Sequence, residues 1–197
     1  MNETDLVKVS VYQKEKEGNF CCGDSYYYYQ DDDFFLCALA DGLGSGELAR
    51  ESSQVVMDVI KTNPLMTTSE IISLSNQALV GKRGVVLGIL KLDLRNHQYT
   101  YASIGNIGLM TITSEGIKNR NIPMPGYLGV YPRQAKEIRG IFNKNMSFVL
   151  FSDGVTPKDL THNLFKKQNV TEITDAFAEQ MGQNREDDTT LIVIKFQ

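Results

Sequence analysis

The sequence has no apolar stretch of the roughly 20 residues that a membrane-spanning helix requires. It is also short of cysteine. The three present are Cys21, Cys22 and Cys37, an odd number with two adjacent and the third inside an apolar run. They match neither a disulfide framework nor a zinc-ligand spacing, and they read as reduced core thiols of a cytoplasmic protein. There is no basic excess: the net charge of -4 gives no electrostatic case for nucleic acid or an anionic membrane as partner. Met-Asn-Glu-Thr-Asp at the start lacks the basic and apolar regions of a signal peptide. Repeats, low-complexity tracts and linkers are absent too. The 197 residues are therefore expected to form a single domain, 1–197, with a sizeable core, monomeric and cytoplasmic.

What is present is organised around one stretch. Seven apolar residues, Phe34 to Ala40, run without a break into Asp41, and Gly42, Gly44 and Gly46 follow before a segment of helical spacing. The run reads as a strand buried on both faces. The glycines read as a turn that something approaches closely. Ser45 is the expected N-cap of the helix, which leaves Asp41 as a carboxylate at a buried strand end with no capping duty. That places it in an active site.

The remaining periodicities predict the architecture. Leu6 to Gln13 and Cys21 to Tyr29 are expected strands ahead of the Phe34 strand, with Asp31 to Asp33 as a hairpin loop. A helix with Leu48, Val55, Val56, Val59 and Ile60 on one face ends at Asn63-Pro64, and a second opens with the capping box Thr67-x-x-Glu70. Strands over Gly84–Asp93, Gln98–Gly105 and Ile107–Thr113 follow, with turns at 95–97 and 114–116. Asn121 to Pro132 is irregular and is expected to lie over a site, and the Asn121 to Arg133 loop with its neighbouring surface is expected to contribute to substrate recognition. Ala135–Phe142 and Met146–Asp153 are expected to pair. Helices are predicted over Pro157–Lys167 and Val170–Met181, and Thr189–Phe196 reads as a central strand. The order implies an α+β fold, two packed and mainly antiparallel sheets covered by helix pairs.

Acids at three places in the chain hold the same kind of position. Asp41 ends a strand before Gly42, Asp153 ends Phe148 to Ser152 before Gly154, and Asp187 and Asp188 precede the last strand. Singly, each is an ordinary turn residue. Brought together, two carboxylates about 4 Å apart repel by roughly 4 kcal/mol at an effective dielectric near 20. Such a cluster needs protons or a cation, and all-oxygen donors favour Mg²⁺ or Mn²⁺ over zinc.

The chain resembles the PPM family of metal-dependent protein serine/threonine phosphatases. The motifs are Gly23-Asp24, Ala40-Asp41-Gly42-x-Gly44, Arg83-Gly84, Gly105-Asn106, Phe151-Ser152-Asp153-Gly154 and Asp187-Asp188-x-Thr190, in family order over almost the whole chain. Ala-Asp-Gly-Leu-Gly-Ser-Gly, the Pro125-Gly126-Tyr127-Leu128 loop and the minimal length liken it to the small members that act in the bacterial stressosome. The resemblance implies a four-layer αββα sandwich and a site of two Mn²⁺ or Mg²⁺ ions. By family role Asp41 bridges both ions, the Gly42 carbonyl binds one, and Asp153 and Asp187 hold the other. Asp24 orients a water from behind the ligands, with Asp188 in a similar supporting place. It further implies hydrolysis by metal-activated water without a phosphoenzyme. The implied substrates are phosphorylated stressosome scaffold proteins, so that the enzyme restrains the general stress response.

Some positions depart from the family. Leu43 stands where many relatives carry a histidine two residues after the bridging aspartate. His97 and His162, read as surface residues of a turn and a helix, do not replace it. Asn106 stands for a common aspartate and Pro157 for a further metal acid, which argues against a third ion. Lys14, Lys16 and Arg83 are the candidates for a phosphate-binding cation. A nucleotide-binding reading of Gly42-x-Gly44-x-Gly46 fails because position 47 is Glu47 and no Gly-Lys-Ser/Thr follows. The remaining rival is a pseudo-phosphatase that binds phosphoproteins without turnover, against which stands the retention of the metal acids.

Overall fold

The computed structural model describes residues 6–129, 131, 134–167, 169–182 and 185–197. The end of the loop expected to contribute to substrate recognition, Val130, Pro132 and Arg133, lies outside them. In chain order the elements are β1 (Val7–Lys14), β2 (Asp24–Gln30), β3 (Phe34–Gly42), α1 (Glu47–Thr62), α2 (Thr68–Ala78), β4 (Val85–Asp93) and β5 (Gln98–Ile104). Then follow β6 (Gly108–Ile112), β7 (Lys118–Arg120), β8 (Lys136–Ile141), β9 (Ser147–Phe151), α3 (Val170–Met181) and β10 (Thr189–Phe196).

The strands form two five-stranded sheets, β1-β10-β9-β6-β7 and β2-β3-β4-β5-β8. Every pairing between these strands is antiparallel. The alternation of side chains along each strand assigns them to three apolar layers. On β3, Phe35, Cys37 and Leu39 point to the space between the sheets, where they meet Leu150, Ile192 and Phe148. Its other face, Leu36, Ala38 and Ala40, packs on Val56, Met57 and Ile60 of α1 and Ile71 of α2. β10 divides in the same way, with Ile192 and Ile194 inward and Leu191 and Val193 against Ile173 and Phe177 of α3. Strands buried on both faces therefore sit at the centre of both sheets, and the result is the expected four-layer sandwich.

The capping box at Thr67 and Glu70 is formed in both directions. Four local expectations are corrected. The N-cap of α1 is Gly46, at φ 70°, and no side chain caps it; this left-handed entry suits glycine, and Ser45 is displaced by one position. β2 begins at Asp24 rather than Cys21. Over 157–167 only a 3₁₀ turn, Leu164–Lys166, is helical. The Asp159 carboxylate accepts from the Thr156 N–H and hydroxyl, both at 2.7 Å, and this local bond displaces the helical pattern. His162 consequently lies in a turn. Finally, β8 and β9 do not pair. β8 is the half-exposed edge beyond β5, whereas β9 is wholly buried between β6 and β10. Phe142, fully buried between the sheets, and Asn145, at φ 67°, carry the chain from one sheet to the other.

Candidate active site

The acids meet at one end of the sandwich because the strand register places them there. Asp24 opens β2 and lies directly opposite Asp41 at the close of β3. In the other sheet Asp153 follows the end of β9 and Asp187 precedes the start of the neighbouring β10. The sheets are tied across this end by the Thr190 hydroxyl of β10, which donates to Asp24 Oδ2 at 2.6 Å. Gln13 of β1 donates to the Asp24 carbonyl at 3.3 Å and to Thr190 Oγ1 at 3.1 Å.

Burial is graded across the cluster. Asp24 and Asp188 are buried, Asp41 is half-buried, and Asp153 and Asp187 are exposed. Burial pushes the Asp41 carboxyl up to about 9, and the charges of Asp24, Asp153, Asp187 and Asp188 add to it. Asp24 is also raised, mainly by burial, against the lowering effect of hydrogen bonds from Thr190 and Ser152. Burial and then Asp187 raise Asp153, which the Asn106 amide, donating to its Oδ2 at 2.8 Å, partly offsets. The five acids named from the sequence, Asp24, Asp41, Asp153, Asp187 and Asp188, thus form one electrostatic unit.

Asp188 has a distinct place. Its two carboxylate oxygens accept from the Lys16 and Gly23 backbone N–H groups, each at 2.9 Å. This joins the segment before β2 to the start of β10. A Cβ on Gly23 would come within 2.8 Å of the same carboxylate, which accounts for the Gly23-Asp24 pair. Gly42 has a comparable reason: a Cβ there would overlap the Ala49 carbonyl in the first turn of α1. The helix is therefore seated directly on the strand end that carries Asp41.

The groups expected from the sequence to hold a metal, the carboxylates of Asp41, Asp153 and Asp187 and the Gly42 carbonyl, are all oxygen donors, the kind a hard divalent cation takes. The buried Asp24 Oδ1 has no protein partner and marks a place for a water or ligand donor. Among the described residues, no group of three or more acids, histidines or cysteines closes as a ready cage. A cation here would complete its shell with water, as Mg²⁺ commonly does.

Of the three candidate cations, the Arg83 guanidinium lies over Gly44 and its Nη1 donates to the Leu43 carbonyl at 3.4 Å, beside Gly42. Lys14 pairs with Glu15 at 3.4 Å. His97 is in the β4–β5 turn, at the opposite end of the sheet, with its ring against Phe142 and Phe196. Two residues take supporting roles that the sequence did not show. Arg185 donates to the Gly154 carbonyl at 2.6 Å and to Thr189 Oγ1 at 3.0 Å, joining the loop after β9 to β10. Asn106 was visible only as a departure from a motif, and its bond to Asp153 comes from the fold.

Comparison with known proteins follows the same lines. A family model described as stage II sporulation protein E (SpoIIE) matches residues 31–197. The chain is 35% identical over 193 residues to the phosphoserine phosphatase RsbX of Bacillus subtilis (strain 168), spanning 98% of this chain and 96% of that protein. The crystal structure of RsbX in complex with magnesium matches with a TM-score of 0.89 at 34% identity, over 100% of this chain and 98% of the other. A chain solved in work on the bacterial stressosome as a modular system matches at 0.86 and 24% identity, over 96% and 99% of the two chains. The catalytic domain of the serine/threonine phosphatase PstP with two manganese ions matches at 0.75 and 12% identity, over 96% and 97%; these last two bear on the fold alone. With the SpoIIE model covering residues 31–197 and RsbX alignable almost end to end, the chain belongs to the PPM family of metal-dependent protein serine/threonine phosphatases.

Proposed function

We propose that this protein is a cytoplasmic, single-domain phosphatase that removes phosphate from phosphoserine or phosphothreonine in stressosome scaffold proteins, with two Mg²⁺ or Mn²⁺ ions held by Asp41, Asp153, Asp187 and the Gly42 carbonyl. The observation that carries it is the convergence of Asp24, Asp41, Asp153 and Asp187 at one end of the sandwich, where burial first and neighbouring carboxylates second raise Asp24, Asp41 and Asp153, a cluster whose charge calls for cations. RsbX, a phosphoserine phosphatase whose structure holds magnesium, supports this chemistry. Bound ions supply neutralisation of the phosphoryl charge and activation of a water at neutral pH.

The chain's own groups do the rest. The free Oδ1 of Asp24 accepts a hydrogen bond from water and aims it, while Thr190 fixes the other oxygen. Asn106 holds Asp153 in one orientation. Asp188 and Arg185 keep the contributing loops in register. Arg83, exposed and bonded to the Leu43 carbonyl next to Gly42, is the candidate we favour for meeting phosphoryl oxygens. The phosphorus–oxygen bond to the serine breaks as water adds, and the products are free serine and inorganic phosphate. With Leu43 in place of an imidazole, the leaving oxygen takes its proton from water. The test is phosphate release from a phosphoserine protein with Mn²⁺, with chelator, and in Asp41→Asn. The expected result is turnover only for the wild type with metal; activity that survives both chelator and substitution overturns the proposal.

A further inference from the structure

Beside the acids lies a pocket of about 350 Å³, lined by Val86, Gly105, Asn106, Pro123, Met124 and Pro125. It shares walls with the acid cluster. Val86 stands directly opposite Asp41 on β4, so the two side chains occupy the same face of the sheet. Asn106 is the residue that donates to Asp153. The outer wall is the segment around Met124, and it is firmly attached. The Gly105 N–H donates to the Met124 carbonyl at 2.8 Å, and Val85 and Leu128 exchange two backbone bonds of 2.9 and 2.8 Å. Further along, the Gly129 N–H donates to the Asn76 side chain of α2 at 3.0 Å. Prolines on both sides of Met124 restrict the backbone further. The pocket is therefore formed in advance, and no loop has to be ordered to fill it.

Its chemistry contrasts with that of its neighbour. No ionisable side chain lines it. Val86, Met124 and the proline rings offer apolar surface, and the thioether of Met124 adapts to several shapes. We infer that this pocket receives an uncharged apolar side chain of the phosphoprotein substrate, one or two positions from the phosphorylated residue. This rests on the phosphatase reading above. An extended chain advances about 3.3 Å per residue. With the phosphoryl group at the acids, its near neighbour passes over Asn106 and turns into the space between Val86 and Met124. A carboxylate arriving there loses water and finds no partner. The pocket thus sets the sequence context in which a phosphoserine is hydrolysed, through residues that touch the substrate and not the reacting atoms.

The experiment uses phosphoserine peptides that are identical except for Leu, Gly or Asp at the flanking positions, with Mn²⁺ present. In the wild type the Leu peptides should exceed the Gly peptides in kcat/KM by about tenfold, chiefly through KM, with Asp slowest. Met124→Ala should bring the Leu-to-Gly ratio near unity, and Met124→Leu should preserve it. Met124→Lys should move the preference toward Asp. Ratios between peptides on one enzyme cancel any general loss of activity, and melting curves establish that each variant is folded. Equal hydrolysis of Leu and Gly peptides by the wild type, or a ratio unmoved in Met124→Ala, overturns the pocket assignment and leaves the phosphatase reading intact. Failure to hydrolyse any of the peptides overturns both.

Discussion

Replacing Asp41 by Asn should make the metal-free protein more stable while abolishing turnover. Burial first, and then the charges of Asp24, Asp153, Asp187 and Asp188, lift the Asp41 carboxyl to about 9 in the folded state. In the unfolded chain it titrates near 3.9. The folded state therefore holds the proton more tightly, so stability is fully present below the unfolded value and falls as pH rises through the folded one. Each pH unit in that window costs up to about 1.4 kcal/mol for one retained proton. From pH 6 to 8 the loss is up to about 3 kcal/mol, comparable with roughly 4 kcal/mol for two carboxylates about 4 Å apart at a dielectric near 20. For a chain of this size that corresponds to about 6–12 °C in Tm. Cys22 and Cys37, whose thiols burial holds up, steepen the fall only above about pH 8, where unfolded cysteines begin to ionise. Thermal melts in chelator at pH 6, 7 and 8 make the measurement. Wild-type Tm should fall across the series, and Asp41→Asn should be flatter and higher at pH 8. Saturating Mg²⁺ or Mn²⁺ should recover the wild type and help the variant far less. A wild-type Tm independent of pH, or a variant less stable at pH 8 in chelator, refutes the electrostatic reasoning.

The remaining predictions concern neighbouring groups. Asn106→Ala removes the 2.8 Å donor to Asp153 and should weaken metal binding by about 10–100-fold, read by calorimetric titration. Asp188→Ala leaves the Gly23 and Lys16 N–H groups without their acceptor and should cost about 2–4 kcal/mol in denaturant unfolding, even with the metal absent. Because Asp41 and Asp153 are raised, cation binding should release protons. Its affinity should fall from pH 8 to pH 6, and titrations in buffers of different ionisation enthalpy should count the protons. Gly42→Ala drives a methyl group into the Ala49 carbonyl, and should displace α1 and lower both stability and activity.

The fold was legible where one local signal determined the outcome. An unbroken apolar run such as Phe34–Ala40 can be satisfied only between two layers, and β3 is covered by α1 on one face and the second sheet on the other. The Thr67 capping box formed because both of its bonds lie within four residues. The pairing of β8 was illegible because pairing is decided by neighbours distant in the chain. Nothing in Lys136–Ile141 says that its partner is β5, some 40 residues earlier, while the adjacent β9 crosses into the other sheet. The Pro157–Lys167 segment misled for a related reason. Leu160 and Leu164 have helical spacing and are buried as such residues should be, but the Asp159 bonds to Thr156 hold the segment as turns.

The site divides along the same line. Asp41 and Asp153 could be named because a carboxylate between a buried strand and a glycine is visible one motif at a time, and Asp187 because it stands just ahead of the last strand. Their mutual repulsion could not, since it exists only once register sets Asp24 opposite Asp41 and Thr190 reaches Asp24 across the sandwich. The polar supports are less visible still. Arg185 acts on Gly154 from 31 positions away, and Asn106 acts on Asp153 from 47 positions away. In sequence Arg185 is an ordinary loop residue, and Asn106 shows only as a changed motif position. It follows that motif spacing can locate charge at this site, whereas the geometry that fixes that charge depends on side chains whose partners lie far away in the chain. On the reading proposed above, members of one family that share the aspartates should differ in metal affinity and substrate context where they differ at Asn106 and Met124. Exchanging Met124 between relatives should move context preference while leaving the acids, and their need for a cation, unchanged.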